Sequence, residues 1–223
     1  MHISALKFGQ LFFSTYLESR TGAKIVDVGS LDVNGSLRSL APRANTYIGI
    51  DFAPGAGVDV VIDNPYKLPF DDNEIDVVVS SSCFEHAEFF WLLFCEIQRI
   101  LKPDGLCYIN APSNGPFHRY PVDCWRFYPD AGSALQRWAN REGYNTELLE
   151  SFVGEQDVAP WNDFVAVFVK DAGFKGQYPS RIQDQICNFR NGLRAADNAF
   201  TKWSWETEDD SLIGNAVVKA ASA

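Results

Sequence analysis

The feature that most constrains this chain is a series of short β-branched runs that are apolar along nearly their whole length. Such runs are typical of strands covered on both faces, because a strand with one face in water alternates apolar and polar residues. Stretches of roughly 10–25 residues separate most of them, which favours crossover connections and a parallel sheet over hairpins. The five runs are Lys24–Val28, Thr46–Ile50, Val58–Ile62, Ile75–Val79 and Leu106–Asn110.

Two later runs have a different connection. Thr146–Val153 and Phe164–Val169 are separated by only ten residues, which include Gly154 and Pro160. A crossover helix of normal length does not fit in that gap. We therefore expect an antiparallel pair that closes the sheet.

Apolar residues at three- and four-residue spacing predict a helix from about Ala87 to Lys102. A second helix is predicted from about 131 to 142. The other face of the first helix still carries Trp91, Leu92 and Cys95. This face would pack against another helix or a second subunit, or lie under the C-terminal extension, so a homo-oligomer is one of the arrangements it allows.

We expect one domain with an extension at each end. The C-terminal extension is predicted to hold a helix from Ser180 to Phe200 and a tail with Trp203, Trp205 and the acidic run 206–210. The three parts are an N-terminal helical extension at 1–22, the main domain at 23–170, and the C-terminal helical extension and tail at 171–223.

Composition excludes several classes of protein. The chain has 19 Lys and Arg against 29 Asp and Glu, a net charge of −10, which argues against nucleic acid as a partner. The longest apolar run, Phe89–Cys95, falls far short of the ~18 residues of a membrane span. With no signal peptide read at the N-terminus, we expect a cytoplasmic protein. The five cysteines form no C-x-x-C pair, so neither a zinc site nor a disulfide framework is indicated.

A strand, a glycine turn and a helix-like segment follow one another at the start of the predicted sheet. Gly29 begins the turn and Leu37–Leu40 is helix-like. This order places backbone N–H groups and the positive end of a helix at the carboxyl edge of the sheet. Asp51 ends the next strand, 22 residues after Gly29, where its carboxylate can accept both hydroxyls of a ribose. An ordinary turn, in which Asp27 caps a helix and Asp51 is solvated, is the alternative.

The residues of the turn separate two kinds of nucleotide. A dinucleotide-binding fold needs G-x-G-x-x-G, because its backbone approaches a pyrophosphate closely. Here Leu31 and Val33 stand two and four residues after Gly29, so the fingerprint fails. S-adenosylmethionine has no phosphate, and its methionine end requires a helix N-terminus and an acidic residue, which Asp27 supplies. The turn therefore favours a methyl donor over a nicotinamide.

Several motifs occur in a fixed order: Val26–Gly29, Ile48–Asp51, Asp63 with Leu68–Asp72, Ile75–Ser80, Glu85-His86 and Arg99–Gly105. With them the chain resembles the class I S-adenosylmethionine-dependent methyltransferases from about Ala23 to Lys170. The resemblance implies an α/β, Rossmann-like, seven-stranded and mostly parallel sheet with an antiparallel last strand and helices on both faces. The turn departs from the family pattern, since Leu31 and Val33 replace the usual second and third glycines and Gly35 follows instead.

The resemblance also implies S-adenosyl-L-methionine as the cofactor and a role for each matching position. Asp27 and Gly29 would lie near its methionine part, Asp51 at the ribose and Asp63 by the adenine amino group. Further residues expected at the cofactor are Ser30, Asn34, Phe52, Asn64 and Ser81.

The methyl acceptor is expected beside residues 110–129, which follow the fifth predicted strand. Four prolines pre-set this loop and exclude a long helix. Aromatic faces beside ionisable groups suit a sugar or another polar ring compound, and an arginine suits a carboxylate or phosphate. Alternatively, Trp125 and Phe127 fill the core and Arg126 pairs with a structural acid. The candidate substrate-binding residues are Arg119, Tyr120, Trp125 and Arg126.

The run Pro121-x-Asp-x-Trp-Arg-Phe127 also resembles methyltransferases that modify sugars and cell-surface glycans, which favours O-methylation. An alcohol gains from a general base. Because His2 is expected to be frayed, the candidates are His86 and His118, with Asp123 either to orient His118 or to share a divalent cation with it. No ligand spacing supports a metal. The alternatives are N- or C-methylation of another small molecule, or a non-catalytic S-adenosylmethionine-binding protein on the same fold; a nicotinamide-dependent oxidoreductase is disfavoured.

Overall fold

The computed structural model shows an α/β fold built on a single sheet, and it describes residues 2–155, 161–195, 197 and 199–206. The α-helices of these residues are α1 (Ile3–Tyr16), α2 (Phe90–Ile100) and α3 (Ala131–Arg141). The strands are β1 (Lys24–Val28), β2 (Thr46–Asp51), β3 (Val60–Val61), β4 (Ile75–Ser81), β5 (Leu101–Pro112), β6 (Glu147–Gly154), β7 (Asp163–Val169) and β8 (Phe189–Arg194).

The strands lie in the order β3-β2-β1-β4-β5-β7-β6-β8. The first five are parallel to one another. β7 lies between β5 and β6 and is antiparallel to both, which confirms the predicted antiparallel pair. The chain leaves the sheet at β3 and returns at β4 beside β1, so the order reverses there. In this kind of sheet, ligands bind in the crevice outside the carboxyl ends of the strands at such a reversal.

The prediction of seven strands is wrong by one strand. β8 pairs antiparallel with β6 and adds an eighth strand to the described sheet. It is formed by residues that were predicted to belong to a helix from Ser180 to Phe200. Asn191 has a φ of +51°, and asparagine and glycine are poor helix formers, so pairing with the edge of β6 prevails. A short 3-10 helix, Ile182–Asp184, precedes the strand.

Other predicted boundaries move by a few residues. The helix predicted from Ala87 begins at Phe90, because a separate 3-10 helix, Phe84–His86, precedes it. It ends at Ile100 since β5 begins at the next residue. The third strand is shorter than predicted, and the helix-like segment after Gly29 is a single 3-10 turn, Leu37–Ser39.

Alternate residues of the central strands point into two separate apolar cores, as the pleat of a strand requires. Val78 belongs to the core that contains Phe94 of α2 and Leu135 of α3. Val77 belongs to the core that contains Phe12 of α1. The N-terminal segment is thus helical as predicted and packs on the sheet. α2 packs against α3, one of the arrangements expected for its second face.

A buried carboxylate on β6 joins the C-terminal segment to the sheet. Glu150 accepts hydrogen bonds from Tyr16 Oη at 2.7 Å, Ile182 N at 2.6 Å and Gln183 N at 3.1 Å. Trp203 and Trp205 are exposed. The acidic run 206–210 lies outside the described residues after its first member. The division at 1–22, 23–170 and 171–223 stays a prediction.

Among the described residues, no helix combines the length and the apolar character that a membrane crossing requires.

Candidate functional site

Gly29 makes the turn after β1, and the site has no room for a side chain there. Its φ is +83°, in the left-handed region that glycine adopts without strain. A Cβ would lie 2.6 Å from both Cβ and Sγ of Cys83. The N–H groups of Gly29 and Ser30 donate to the Ile50 carbonyl at 3.0 and 3.1 Å. The turn is therefore tied to the end of β2.

Asp51 ends β2 and holds the loop that follows the turn. Its carboxylate accepts from the N–H groups of Leu31 and Ala53, each at 3.1 Å. A carboxylate offers about four lone-pair positions. Two positions remain for the hydroxyl groups of a ligand, which is the role that the sequence predicts for this residue.

Asp27 lies within β1 and is only 3% exposed. Tyr47 Oη donates to its Oδ2 at 2.7 Å. Burial raises the pKa of the Asp27 carboxyl to about 6, although the Tyr47 hydrogen bond opposes the shift. A ligand ammonium group beside it would favour the charged form, because an opposite charge lowers the pKa of a carboxyl.

These groups line a cavity of about 720 Å³ at the carboxyl edge of the sheet. This volume is typical of small-molecule sites. Asp63 and Asn64 are exposed and lie outside the cavity lining, so their cofactor role stays a prediction. The predicted cofactor residues that line the cavity are Asp27, Gly29, Ser30, Asn34, Asp51, Phe52 and Ser81.

The loop after β5 contributes another part of the same cavity lining. His118, Arg119 and Tyr120 come from this loop, and His86 comes from the 3-10 helix after β4. The sequence predicts all four at the acceptor. The other three candidates from the loop, Asp123, Trp125 and Arg126, do not line the cavity.

Asp123 and Arg126 form a two-point ion pair that shapes the loop. Arg126 Nη1 and Nη2 donate to the two Asp123 oxygens at 2.6 and 2.9 Å, and Nη2 also donates to the Pro116 carbonyl at 2.8 Å. The Arg126 hydrogen bonds lower the pKa of Asp123 to about 2. Asp123 accepts from the backbone N–H of His118 at 2.6 Å, so it positions that residue. Arg126 thus has the structural acid that the alternative interpretation required.

Trp125 is a third candidate that the loop directs away from the cavity. Its Nε1 donates to the Ala87 carbonyl at 3.1 Å, and its ring lies edge-to-face with Phe90 and Trp91. Phe127 is buried in the core. A substrate role for Trp125 or Arg126 stays a prediction.

Two imidazoles meet at the acceptor side of the cavity. The rings of His86 and His118 are edge-to-face, with centroids 5.0 Å apart. His86 Nδ1 lies against the Val122 carbonyl, and His118 Nδ1 is 3.3 Å from the Pro116 carbonyl. A carbonyl oxygen only accepts hydrogen bonds, so each Nδ1 is a donor, and Nε2 is the nitrogen with a lone pair in the neutral ring.

Glu85 is a functional candidate that the sequence interpretation missed. Its side chain is 1% exposed, lines the cavity and places Oε1 3.6 Å from His86 Nε2. Burial raises the pKa of Glu85 to about 8 and lowers the pKa of His86. Glu85 belongs to the Glu85-His86 motif of the sequence analysis. No local sequence pattern indicates that the 3-10 helix Phe84–His86 buries its carboxylate.

The prediction that His2 is frayed is wrong. Its Nε2 is 3.0 Å from Asp163 Oδ1, and its ring stacks on Trp161 with centroids 6.2 Å apart. Trp161 also contacts the edge of His118, at 4.8 Å between centroids. Both His2 and Trp161 line the cavity. The contact between His2 and Asp163 joins residues far apart in the chain, so no sequence window contains it.

Part of the chain that forms this cavity is similar to known proteins. Residues 26–109 match the family model described as a methyltransferase domain. Over this range the chain is similar to a methyltransferase domain. The matched range runs from β1 into β5 and includes Gly29, Asp51 and Glu85.

Curated relatives and solved structures are also similar to this chain. A Mycobacterium avium protein named as an uncharacterized methyltransferase is 28% identical over 156 residues, which are 62% of this chain and 61% of the relative. The chain therefore spans about three fifths of the length of such curated relatives. The crystal structure of Burkholderia thailandensis 1,6-didemethyltoxoflavin-N1-methyltransferase, bound to its substrate and S-adenosylhomocysteine, has a TM-score of 0.59 at 15% identity and covers 75% of this chain and 79% of its own. The cyclase SpnF has a TM-score of 0.56 at 14% identity, covering 74% and 81%. These two structures show that the fold is shared.

The lining of the cavity fits S-adenosylmethionine. The N–H groups of Gly29, Ser30 and Leu31 all donate hydrogen bonds within the protein. Asp32 N also donates, to Ala56 O at 2.8 Å. No run of N–H groups at 29–32 is left to hold a pyrophosphate. Asp27 and Asp51 instead offer carboxylates, which suit an ammonium group and a ribose. This donor set suits S-adenosylmethionine better than a dinucleotide.

Proposed function

We propose that this chain transfers the methyl group of S-adenosylmethionine to a hydroxyl oxygen of a sugar or another small polar acceptor. One observation carries the proposal. The cavity that contains Asp27 and Asp51 also contains two imidazoles, His86 and His118, whose Nδ1 atoms face backbone carbonyls and whose Nε2 lone pairs are available to accept a proton.

Two residues would hold the two ends of the cofactor. Asp27 would pair with the ammonium of the methionine part, and Asp51 would accept the ribose hydroxyls. Gly29 lets the turn pass close to Cys83, which a Cβ at this position would meet. When bound, S-adenosylmethionine supplies a methyl group on a positively charged sulfur atom.

His118 is the first candidate for the general base, and His86 is the second. His118 lies on the acceptor loop beside Arg119 and Tyr120, and its side chain is 37% exposed. Its Nε2 would take the proton of the acceptor hydroxyl as the oxygen gains the methyl group. Positioning the hydroxyl about 3 Å from the methyl supplies most of the rate enhancement, and the base adds about 10²- to 10⁴-fold.

The exposed groups around His118 favour a polar ring as the acceptor. Phe117 and Tyr120 are 75% and 55% exposed, and Arg119 lies between these two aromatic residues in the chain. Aromatic faces contact the apolar face of a sugar ring, while charged groups bind its substituents. The resemblance of the loop to glycan methyltransferases supports the same acceptor class.

A panel of sugars and small polar compounds, incubated with the protein and a labelled methyl donor, tests the proposal. We expect label on oxygen in at least one sugar. His118→Ala should lower kcat by about 10²-fold or more at constant cofactor affinity. His2→Ala removes the third imidazole of the cavity and serves as the matched control.

The other outcomes decide between the remaining functions. Label on nitrogen or carbon would replace O-methylation by the corresponding alternative. S-adenosylhomocysteine binding without label in any acceptor would favour a non-catalytic binding protein. Unchanged methyl transfer in both His118→Ala and His86→Ala would remove the histidine base.

A further inference from the structure

Glu85, His86 and His118 come from two separate segments and bring a carboxylate oxygen and two ring nitrogens close together. One ligand atom from each residue lies within 4.8 Å of the others. A tetrahedral zinc ion, with bonds of about 2.0–2.2 Å, separates its ligand atoms by about 3.4 Å. Small side-chain rotations would bring these three atoms to that spacing.

The two histidines already have the hydrogen bonds that metal-bound histidines make. A metal-bound imidazole usually donates its other N–H to a carboxylate or a backbone carbonyl, which fixes the ring and directs the lone pair to the metal. The Nδ1 atoms of His86 and His118 meet this condition at the carbonyls of Val122 and Pro116.

Glu85 gives an independent indication of a ligand. Its side chain is 1% exposed and lines the cavity. Its Oε2 has no hydrogen-bond partner within the part of the chain that the structure describes. A buried carboxylate oxygen without a partner is costly. A cation would satisfy it.

The backbone holds the two segments together without an ion. The Glu85 carbonyl accepts from Cys124 N at 2.8 Å and from Trp125 N at 3.1 Å. These bonds fix the His118 loop against the 3-10 helix of Glu85 and His86. Removing one ligand side chain therefore leaves both segments in place.

We infer that Glu85, His86 and His118 form a site for one divalent transition-metal ion, with zinc as the expected ion. Two imidazoles and one carboxylate are a common zinc set with an open position, whereas calcium and magnesium prefer oxygen ligands. The sequence showed no ligand spacing, because the third ligand lies 32 residues beyond the second. The consequence for catalysis rests on the proposed function. An acceptor hydroxyl at the open position would have a lowered pKa, and the ion would replace the histidine base, since both use the same Nε2 lone pairs.

Metal titration of the intact protein, freed of metal by a chelator, tests the site without any methyl transfer. Calorimetry with Zn²⁺ should show one ion per chain, and Co²⁺ should give visible d–d bands without a thiolate charge-transfer band from the nearby Cys83. Glu85→Gln, His86→Ala and His118→Ala should each weaken binding at least tenfold. His2→Ala is the matched control in the same cavity and should change the affinity less than twofold.

S-adenosylhomocysteine binding by each variant checks that it is folded. His118 lies on a half-exposed loop position, so His118→Ala provides the decisive comparison if Glu85→Gln fails to fold. Zinc bound equally well by His118→Ala and wild type, a cobalt thiolate band, or no stoichiometric zinc uptake would each overturn the inference. None of these results bears on whether the protein methylates an acceptor, and an inactive acceptor panel would leave a measured metal site intact.

Discussion

Replacing Gly29 by alanine perturbs the turn on which the cofactor site depends. The left-handed φ of +83° costs a residue with a side chain about 1–2 kcal/mol. The new Cβ would also lie 2.6 Å from Cys83, and the shift that relieves such overpacking costs about 1–3 kcal/mol. Gly29→Ala should therefore lower the free energy of unfolding by about 2–5 kcal/mol.

Gly22 provides the matched control for the conformational part of this cost. Its φ is +73°, and a Cβ there would meet no atom within 4 Å. Gly22→Ala should cost only the conformational part, about 1–2 kcal/mol. Urea denaturation of both variants measures the difference, and calorimetry with S-adenosylhomocysteine should show at least a tenfold loss of affinity for Gly29→Ala alone. Equal stability and equal ligand affinity in the two variants would refute the proposed role of the turn.

Three further substitutions test the carboxylates. Asp51→Asn should weaken S-adenosylhomocysteine binding about 10- to 100-fold in calorimetry, because an amide replaces a charge-assisted acceptor by a neutral one; undiminished affinity would remove Asp51 from the ribose site. The folded-state pKa of Asp27, about 6, lies above its ordinary value of 3.8, so the stability it contributes is complete below about pH 4 and is lost as the pH rises to 6. This loss amounts to about 3 kcal/mol in the free energy of unfolding, and Asp27→Asn should flatten the profile over that range; a profile that matches wild type would contradict the burial argument. Glu150→Ala deprives Ile182 N and Gln183 N of their buried acceptor and should destabilise the fold by about 3 kcal/mol in urea, whereas Glu147→Ala, at the partly buried start of the same strand, removes an ion pair with the half-exposed Lys175 and should cost less than about 1 kcal/mol.

The sequence predicted the features that depend on local pattern. The apolar runs of β1, β4 and β5 are buried on both faces, and this burial is visible in their composition. Gly29 and Asp51 mark the ends of adjacent parallel strands, so their spacing alone places them at one edge of the sheet. The short gap before β7 required an antiparallel pair. Each of these inferences needed only one stretch of chain and one rule of sheet geometry.

The features that the sequence did not predict depend on contacts between distant residues. The helix predicted over 180–200 gave way to β8, because the edge of β6 offered backbone partners that no local propensity records. For Arg126 the sequence left a substrate role and a structural ion pair open, and only the fold shows that the acid is Asp123. The Glu85 carboxylate becomes a candidate ligand only when the loop of His118 closes over the 3-10 helix.

The central claim is that the cavity of Asp27, Gly29 and Asp51 binds a sulfonium nucleoside and has no place for a pyrophosphate. Calorimetry of the unaltered protein with S-adenosylhomocysteine and with NAD tests it most directly. One molecule of S-adenosylhomocysteine should bind per chain, S-adenosylmethionine should compete with it, and NAD should give no binding heat. Stoichiometric binding of NAD, or no heat with S-adenosylhomocysteine, would contradict the assignment of this cavity.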